Sequence, residues 1–219
     1  MATKENYQSG KLVEGTSKAD SIANWGDSVT IDAETGNDTV LSSGNNVKIY
    51  GGTGADSLHN DGSTVTIDAG TGNDTIYSHN GSNVLIDAGT GNDSINNQSN
   101  YSTLNGGTGS DIIYTDNCSS ISIDGGTGND SIYCRSNYST VDGNDGSDTI
   151  SNITYNSSIS GGTGDDSIYN NSYYSTIKGG AGNDKISFGS VASGNIIQFA
   201  SGDGNDTVYG WTSSNAISL

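Results

Sequence analysis

Aliphatic residues return along this chain at a fixed interval, two positions after a recurring aspartate. A second aliphatic row follows eleven or twelve residues after most of these aspartates, and polar residues flank both rows. The first row is Ile22, Val40, Leu58, Ile76, Ile95, Ile113, Ile132, Ile150, Ile168, Ile186 and Val208, and the second is Ile31, Ile49, Ile67, Ile86, Leu104, Ile123, Val141, Ile159, Ile177 and Ile217. This alternation, with β-branched residues at the apolar positions, predicts two short strands per repeat, each with one buried face.

Two kinds of turn separate the predicted strands. One is rich in Gly and carries the recurring aspartate, and the other is rich in Asn, Ser and Tyr, as in residues 170–174. Gly and Asn tolerate positive φ, so both turns can be tight. The aspartates are spaced by 18 or 19 residues, with a single step of 22 near the end. Two strands and two turns at this spacing predict an all-β fold, a parallel solenoid of about eleven stacked coils.

The composition of the chain shows that apolar burial alone does not hold this fold together. The 219 residues include 33 Gly and no Pro, only 30% are hydrophobic, and the formal net charge is −18. Such a chain is typically disordered unless a regular scaffold and bound cations stabilise it. The excess of carboxylates argues against nucleic acids as partners. No apolar run is long enough for membrane insertion, and residues 1–20 lack the apolar stretch of a cleaved signal peptide.

Stacking of the coils would align the aspartates in one row, about 5 Å apart. Neighbouring charges at that distance repel by about 3 kcal/mol at an effective dielectric constant of 20. Carboxylates and loop carbonyls from adjacent turns can surround a hard cation with six or more oxygens, which suits Ca²⁺ better than Mg²⁺ or Zn²⁺. We therefore expect about one Ca²⁺ between each pair of adjacent loops.

The predicted calcium ligands share the sixth position of the Gly-rich loop. They are Asp38, Asp56, Asp74, Asp93, Asp111, Asp130, Asp148, Asp166, Asp184 and Asp206, together with backbone carbonyls such as those of Gly52, Gly54, Gly107, Gly109, Gly126, Gly128, Gly162 and Gly164. Asp20 occupies the same position in a repeat that has lost most of its glycines, so its role as a ligand is doubtful.

The repeated loop resembles the Gly-Gly-x-Gly-x-Asp-x-aliphatic-x nonapeptide of the repeats-in-toxin (RTX) family, whose repeats bind calcium. Strong copies lie at 51–59, 106–114, 125–133, 161–169 and 179–187, and weaker ones at 33–41, 69–77, 88–96, 143–151 and 201–209. The resemblance implies a right-handed β-roll with calcium along one edge. Because only alternate half-coils carry the acidic loop, it also implies a metal-free Asn/Ser/Tyr edge opposite. It further implies a bacterial protein that is secreted without a cleaved signal and folds outside the cell.

Three classes of function compete. We expect no enzyme activity from this chain, because the carboxylates serve the ion row and no catalytic arrangement is apparent. His59 lies three residues after its loop aspartate and His79 five residues after its own, so we also expect no zinc site. The favoured function is a calcium-binding extracellular module of structural or adhesin type that folds on calcium binding. It could also be the repeat portion of a larger secreted toxin or enzyme.

Two surface rows suggest alternative ligands. Thr recurs at the third loop position, often with Asn two residues later, which resembles the ice-binding face of calcium-dependent bacterial ice-adhesin repeats. The Thr row is Thr35, Thr53, Thr71, Thr90, Thr108, Thr127 and Thr163. Tyr recurs after the first strand and in the opposite turn, where exposed rings could stack on glycans. Both residue types also suit turns and strand surfaces, so these rows have a simpler structural explanation as well.

The ends of the chain differ from its middle. We predict an N-terminal lead-in or cap at 1–14, the repeat solenoid at 15–187, and an irregular coil or cap with a last repeat at 188–219. Uncovered solenoid ends favour end-to-end self-association, so a second copy is a candidate partner besides calcium and a cell-surface, glycan or ice ligand.

Overall fold

The computed structural model describes residues 3–219, which form two parallel sheets of 12 strands each. Successive strands alternate between the sheets, so each pair makes one coil of a parallel β-solenoid. The predicted fold is confirmed, with twelve coils rather than about eleven because residues 3–16 contribute a further pair of strands. None of the described residues forms a helix long and apolar enough to cross a bilayer.

The strands are short, as the two-turn coil requires. The first sheet holds β1 (Thr3–Asn6), β3 (Ser21–Asn24), β5 (Thr39–Ser42), β7 (Ser57–Asn60), β9 (Thr75–Ser78), β11 (Ser94–Asn97), β13 (Ile112–Ser119), β15 (Ser131–Asn137), β17 (Thr149–Asn152), β19 (Ser167–Asn170), β21 (Lys185–Phe188) and β23 (Thr207–Tyr209). The second sheet holds β2 (Leu12–Thr16), β4 (Thr30–Glu34), β6 (Lys48–Thr53), β8 (Thr66–Thr71), β10 (Leu85–Asp87), β12 (Thr103–Asn105), β14 (Ser122–Thr127), β16 (Thr140–Asp145), β18 (Ser158–Thr163), β20 (Thr176–Ala181), β22 (Ile196–Gln198) and β24 (Ala216–Ser218).

The core consists of the two predicted aliphatic rows, stacked residue upon residue. In the first sheet Ile113 pairs with Ile132, and both are fully buried. The second row has two members that the spacing did not reveal. Val13 pairs with Ile31, and Ile197 lies between Ile177 and Ile217. Each buried aliphatic side chain contributes about 1.5–3 kcal/mol, so the core stabilises the fold in small equal steps along its length.

The turn opposite the Gly-rich loops is closed by buried side-chain amides. The Asn60 Nδ2 donates to the Gly62 carbonyl oxygen at 2.9 Å, and the Asn97 Nδ2 donates to the Ser99 carbonyl oxygen at 2.9 Å. The Asn24 Nδ2 makes the same bond to Gly26 at 2.9 Å. These bonds satisfy buried donors and carbonyls of the turn with protein groups.

Both ends of the core are covered by atypical residues. Lys4 takes the register position of Ile22, and its ammonium group donates to the Gly15 carbonyl oxygen at 3.2 Å. Near the other end Phe188 pairs with Asn170 and packs edge-on against Trp211, with ring centroids 6.0 Å apart. The extra residues of the 22-residue step lie outside the strands. The boundaries 1–14, 15–187 and 188–219 stay a prediction.

Candidate functional site

The recurring aspartates form a continuous hydrogen-bonded ladder along one edge of the solenoid. In each step a carboxylate Oδ1 accepts the backbone N–H of the aspartate one coil earlier. The distances run from 2.6 Å between Asp20 and Asp38 to 3.0 Å between Asp184 and Asp206. Asp38 to Asp184 are at most 2% exposed at this position, whereas Asp206 is half-buried. The sequence therefore predicted correctly that the ten residues share one row.

The second carboxylate oxygen of the row is buried without a hydrogen-bond partner. This holds for Oδ2 of Asp38, Asp56, Asp74, Asp93, Asp111, Asp130, Asp148, Asp166 and Asp184. Leaving a buried charged acceptor unsatisfied is costly, and a regular row of such oxygens indicates a missing ligand. Because the acceptors are hard oxygens, the ligand they fit is a hard cation.

Glycine at the first loop position leaves room beside the free oxygen. A Cβ on Gly106 would lie 2.7 Å from Asp111 Oδ2, and one on Gly125 would lie 2.6 Å from Asp130 Oδ2. Three coils carry Ala33, Ala69 and Ala88 at this position, and all three are fully buried. The space beside the carboxylates therefore differs from coil to coil, being wider where Gly is present.

The carboxylates of the row have strongly shifted pKa values. Burial raises the pKa of Asp74 to about 7, against an opposing hydrogen bond from the Asp56 backbone and with a further increase from neighbouring carboxylates. Burial likewise raises the pKa of Asp111 and Asp166 to about 7 and that of Asp148 to about 6. The unliganded row therefore resists ionisation, and a cation among the carboxylates would remove that resistance.

The predicted backbone ligands lie in the same loops but already take part in the stacking of coils. The Gly107 carbonyl oxygen, for example, accepts the Thr127 N–H at 2.8 Å. A carbonyl oxygen has two lone pairs, so this bond leaves one for a cation. The loops can thus supply carbonyl oxygens in addition to the carboxylates without unpairing the strands.

The predicted Thr row lies outside the Asp row on the same edge and is exposed throughout. Its first six members, Thr35, Thr53, Thr71, Thr90, Thr108 and Thr127, pair coil to coil in parallel register. Asp145 then interrupts the row and accepts a hydrogen bond from the Thr163 hydroxyl at 3.0 Å. An uninterrupted, uncharged Thr surface therefore spans only the coils from Thr35 to Thr127.

A parallel row of mainly Asn residues lies two positions further along each loop. The Asn73 Oδ1 accepts the Asn92 N–H at 2.8 Å, and the Asn92 Oδ1 accepts the Ser110 N–H at 2.7 Å. Each such side chain is held against the next coil by its oxygen, while its residue stays exposed. The Asn row is therefore both a structural ladder and part of a regular outer surface.

The predicted Tyr rows are exposed but discontinuous. Tyr133 and Tyr169 are separated by Ser151 in the register, and each is about two-fifths exposed, at 42% and 41%. In the opposite turn Tyr138 and Tyr155 pack edge to face with centroids 5.3 Å apart. These rings cover strand surfaces and pack on each other, so no continuous aromatic platform forms.

Comparison with known proteins adds to this geometry. The chain matches the family described as RTX calcium-binding nonapeptide repeat (4 copies) at residues 32–63, 66–95, 102–118, 122–133, 154–172, 160–191 and 199–218, well over half of its length. No curated protein matches it.

Among solved structures, the chain is similar to that of a hyperactive, Ca²⁺-dependent, β-helical antifreeze protein from an Antarctic bacterium. The two share 26% identity with a TM-score of 0.64, over 98% of this chain and 83% of the other. The family match extends over both strong and weak copies of the acidic loop. The chain belongs to the RTX calcium-binding nonapeptide repeat family.

Proposed function

We propose that this chain is an extracellular, calcium-dependent ice-binding module. The observation that carries the proposal is the run of six exposed threonines, in register from Thr35 to Thr127, directly outside a row of buried aspartates. The inner row would hold the calcium that rigidifies the edge, and the outer rows would contact ice.

The calcium ligands we propose are Oδ2 of the aspartates from Asp38 to Asp184, with loop carbonyls from adjacent coils completing the oxygen shell. Asp206 would close the last site less completely, because it is only half-buried. Calcium supplies positive charge that offsets the repulsion between stacked carboxylates. The ladder through Oδ1 keeps each carboxylate oriented, so that Oδ2 points to the same place in every coil.

Ice recognition needs a flat surface with a regular repeat. Parallel stacking repeats the Thr and Asn positions about every 4.8 Å along the edge, and that spacing is set by the backbone ladder. Thr offers a hydroxyl and a methyl group at each point, so the row can match a water lattice by both hydrogen bonding and apolar contact. The similar antifreeze protein is described as Ca²⁺-dependent, which supports the coupling of the two rows.

Thermal hysteresis of the full chain tests this proposal. We expect a freezing-point gap and faceted ice crystals in millimolar calcium, and neither after removal of calcium. A calcium-folded protein without hysteresis would contradict ice binding. Only the broader proposal would then be left, that of an extracellular scaffold or adhesin module folded by calcium.

A pair of matched variants locates the surface. Thr90→Tyr places a bulky ring in the middle of the Thr row, whereas Thr103→Tyr makes the same change on the outer face of the second sheet, where Thr103 is also exposed. We expect Thr90→Tyr to abolish most of the hysteresis and Thr103→Tyr to leave it unchanged. Equal loss in both variants, or loss only in Thr103→Tyr, would show that the ice-binding surface lies elsewhere.

A further inference from the structure

Two histidines and an aspartate meet on the outer face of the first sheet, away from the acidic edge. One ligand atom each from His59, Asp61 and His79 lies within 4.8 Å of the other two. The His59 Nε2 is 3.4 Å from the Asp61 Oδ2, and the two imidazole centroids are 5.2 Å apart. These are the only histidines of the chain.

Strand pairing brings the three residues together although they occupy different positions of the repeat. In the parallel register of β7 and β9, His59 pairs with Tyr77 and Asn60 with Ser78. Continuing by one residue places Asp61 beside His79, whose backbone N–H donates to the Asn60 carbonyl oxygen at 2.9 Å. Residues two apart on a strand share a face, so all three side chains project outward together.

We propose that His59, Asp61 and His79 form a binding site for a divalent transition-metal ion, with Zn²⁺ as the best fit. Zinc takes imidazole nitrogen and carboxylate oxygen at about 2.0–2.2 Å in tetrahedral geometry, which separates neighbouring ligand atoms by about 3.4 Å. The His59 to Asp61 separation already has this value. Rotation of the His79 side chain closes the remaining distance.

The chemistry of the site separates it from the calcium row. Calcium takes oxygen ligands and needs six to eight of them, whereas this cluster offers two nitrogens and one carboxylate. The side chains of His59 and Asp61 are 33% and 41% exposed, so an ion can enter from solvent and keep water in its fourth position. The Tyr77 ring lies 6.1 Å from each imidazole and covers one side of the cluster.

The two cysteines do not compete for such an ion. Cys118 and Cys134 are free but buried, at 6% and 0% exposure. Burial also raises the pKa of both thiols, which keeps them protonated and poor ligands. Metal binding by the folded protein is therefore expected at the histidine cluster.

The test is calorimetric titration of the calcium-loaded full chain with Zn²⁺, together with absorption spectra after addition of Co²⁺. We expect one equivalent of Zn²⁺ to bind and the Co²⁺ complex to show tetrahedral bands without a thiolate charge-transfer band. Loss of an outer-sphere partner of a metal site costs about 10–100-fold in affinity, so removal of a direct ligand by His79→Gln or Asp61→Asn should weaken binding at least about tenfold. The matched control, Asp68→Asn, removes one exposed carboxylate from the outer face of the second sheet and should change nothing.

Circular dichroism in calcium shows whether each variant is folded, so a loss of Zn²⁺ binding is not confused with unfolding. Unchanged Zn²⁺ affinity in folded His79→Gln would overturn the proposal. So would a thiolate band that disappears in the Cys118→Ser, Cys134→Ser double variant. Because these measurements are made in excess calcium, their failure leaves the proposed calcium and ice binding untouched.

Discussion

Adjacent residues of one Gly-rich loop have opposite environments, which separates two roles for the same side chain. Asp166 is 2% exposed and belongs to the buried ladder, whereas Asp165 is exposed and its carboxylate accepts the Asn183 N–H at 2.8 Å. Asn replaces Asp165 in the equivalent position of many coils and can accept the same bond.

Asp166→Asn and Asp165→Asn therefore remove the same charge with different expected results. We expect Asp166→Asn to bind fewer calcium ions and to lose about 2–3 kcal/mol of unfolding free energy in calcium, because a charged ligand is lost from a buried site. Asp165→Asn should keep the full stoichiometry. Calcium titration by calorimetry and urea unfolding check both, and equal stoichiometry in the two variants would argue against the inner row as the ligand.

Glycine at the second loop position answers to contact between coils as well as to backbone conformation. Gly52 and Gly202 both have φ of +99°, but a Cβ on Gly52 would overlap the Glu34 carbonyl oxygen while one on Gly202 meets nothing within 4 Å. Both Ala substitutions carry the same cost for positive φ. Any difference between them therefore measures the closeness of stacking.

We expect Gly52→Ala to be less stable than Gly202→Ala by about 1–3 kcal/mol or more, the usual cost of overpacking. Thermal unfolding in saturating calcium provides the comparison. Equal losses of stability would mean that φ alone explains the glycines and that the coils can separate locally without cost.

At the scale of the element, the aspartate row titrates as an array. Unfolded aspartates have a pKa of about 3.9, while burial raises the pKa of Asp74, Asp111 and Asp166 to about 7 in the fold. Between these values the folded calcium-free chain binds more protons than the unfolded chain, so its unfolding free energy falls as pH rises from about 4 to 7. At neutral pH the empty row therefore opposes folding.

Calcium binding must release these protons. We expect the apparent calcium affinity to rise between pH 6 and pH 8, with proton release visible as a dependence of the binding enthalpy on the buffer. Ordinary aspartates are fully ionised over this range and would give a constant affinity. A flat profile would show that the carboxylates are not held in the buried geometry before binding.

At the scale of the whole molecule, calcium should decide whether the chain folds. A few aliphatic residues per coil contribute about 1.5–3 kcal/mol each, against about 1–2 kcal/mol of backbone entropy for each ordered residue. Calcium binding free energy then becomes folding free energy. We expect circular dichroism to show a disordered chain in chelator and strand structure on addition of millimolar calcium, and an unchanged spectrum would contradict this.

The local repeat determined most of this protein from its sequence. The period of 18 or 19 residues, the alternation around Ile113 and Ile132, and the constant place of the aspartate predict the coil, the core and the single acidic row. They do so because parallel stacking carries each residue onto its equivalent in the next coil, so one coil describes its neighbours.

Only the tertiary structure decided what lies outside that equivalence. The period could not place Val13, Ile197 or the first coil, because the termini depart from the repeat. It also kept His59 and His79 apart, since they occupy different positions after their aspartates. The strand register joins them with Asp61, because contact between coils depends on which strand face a residue shares and not on its place in the motif.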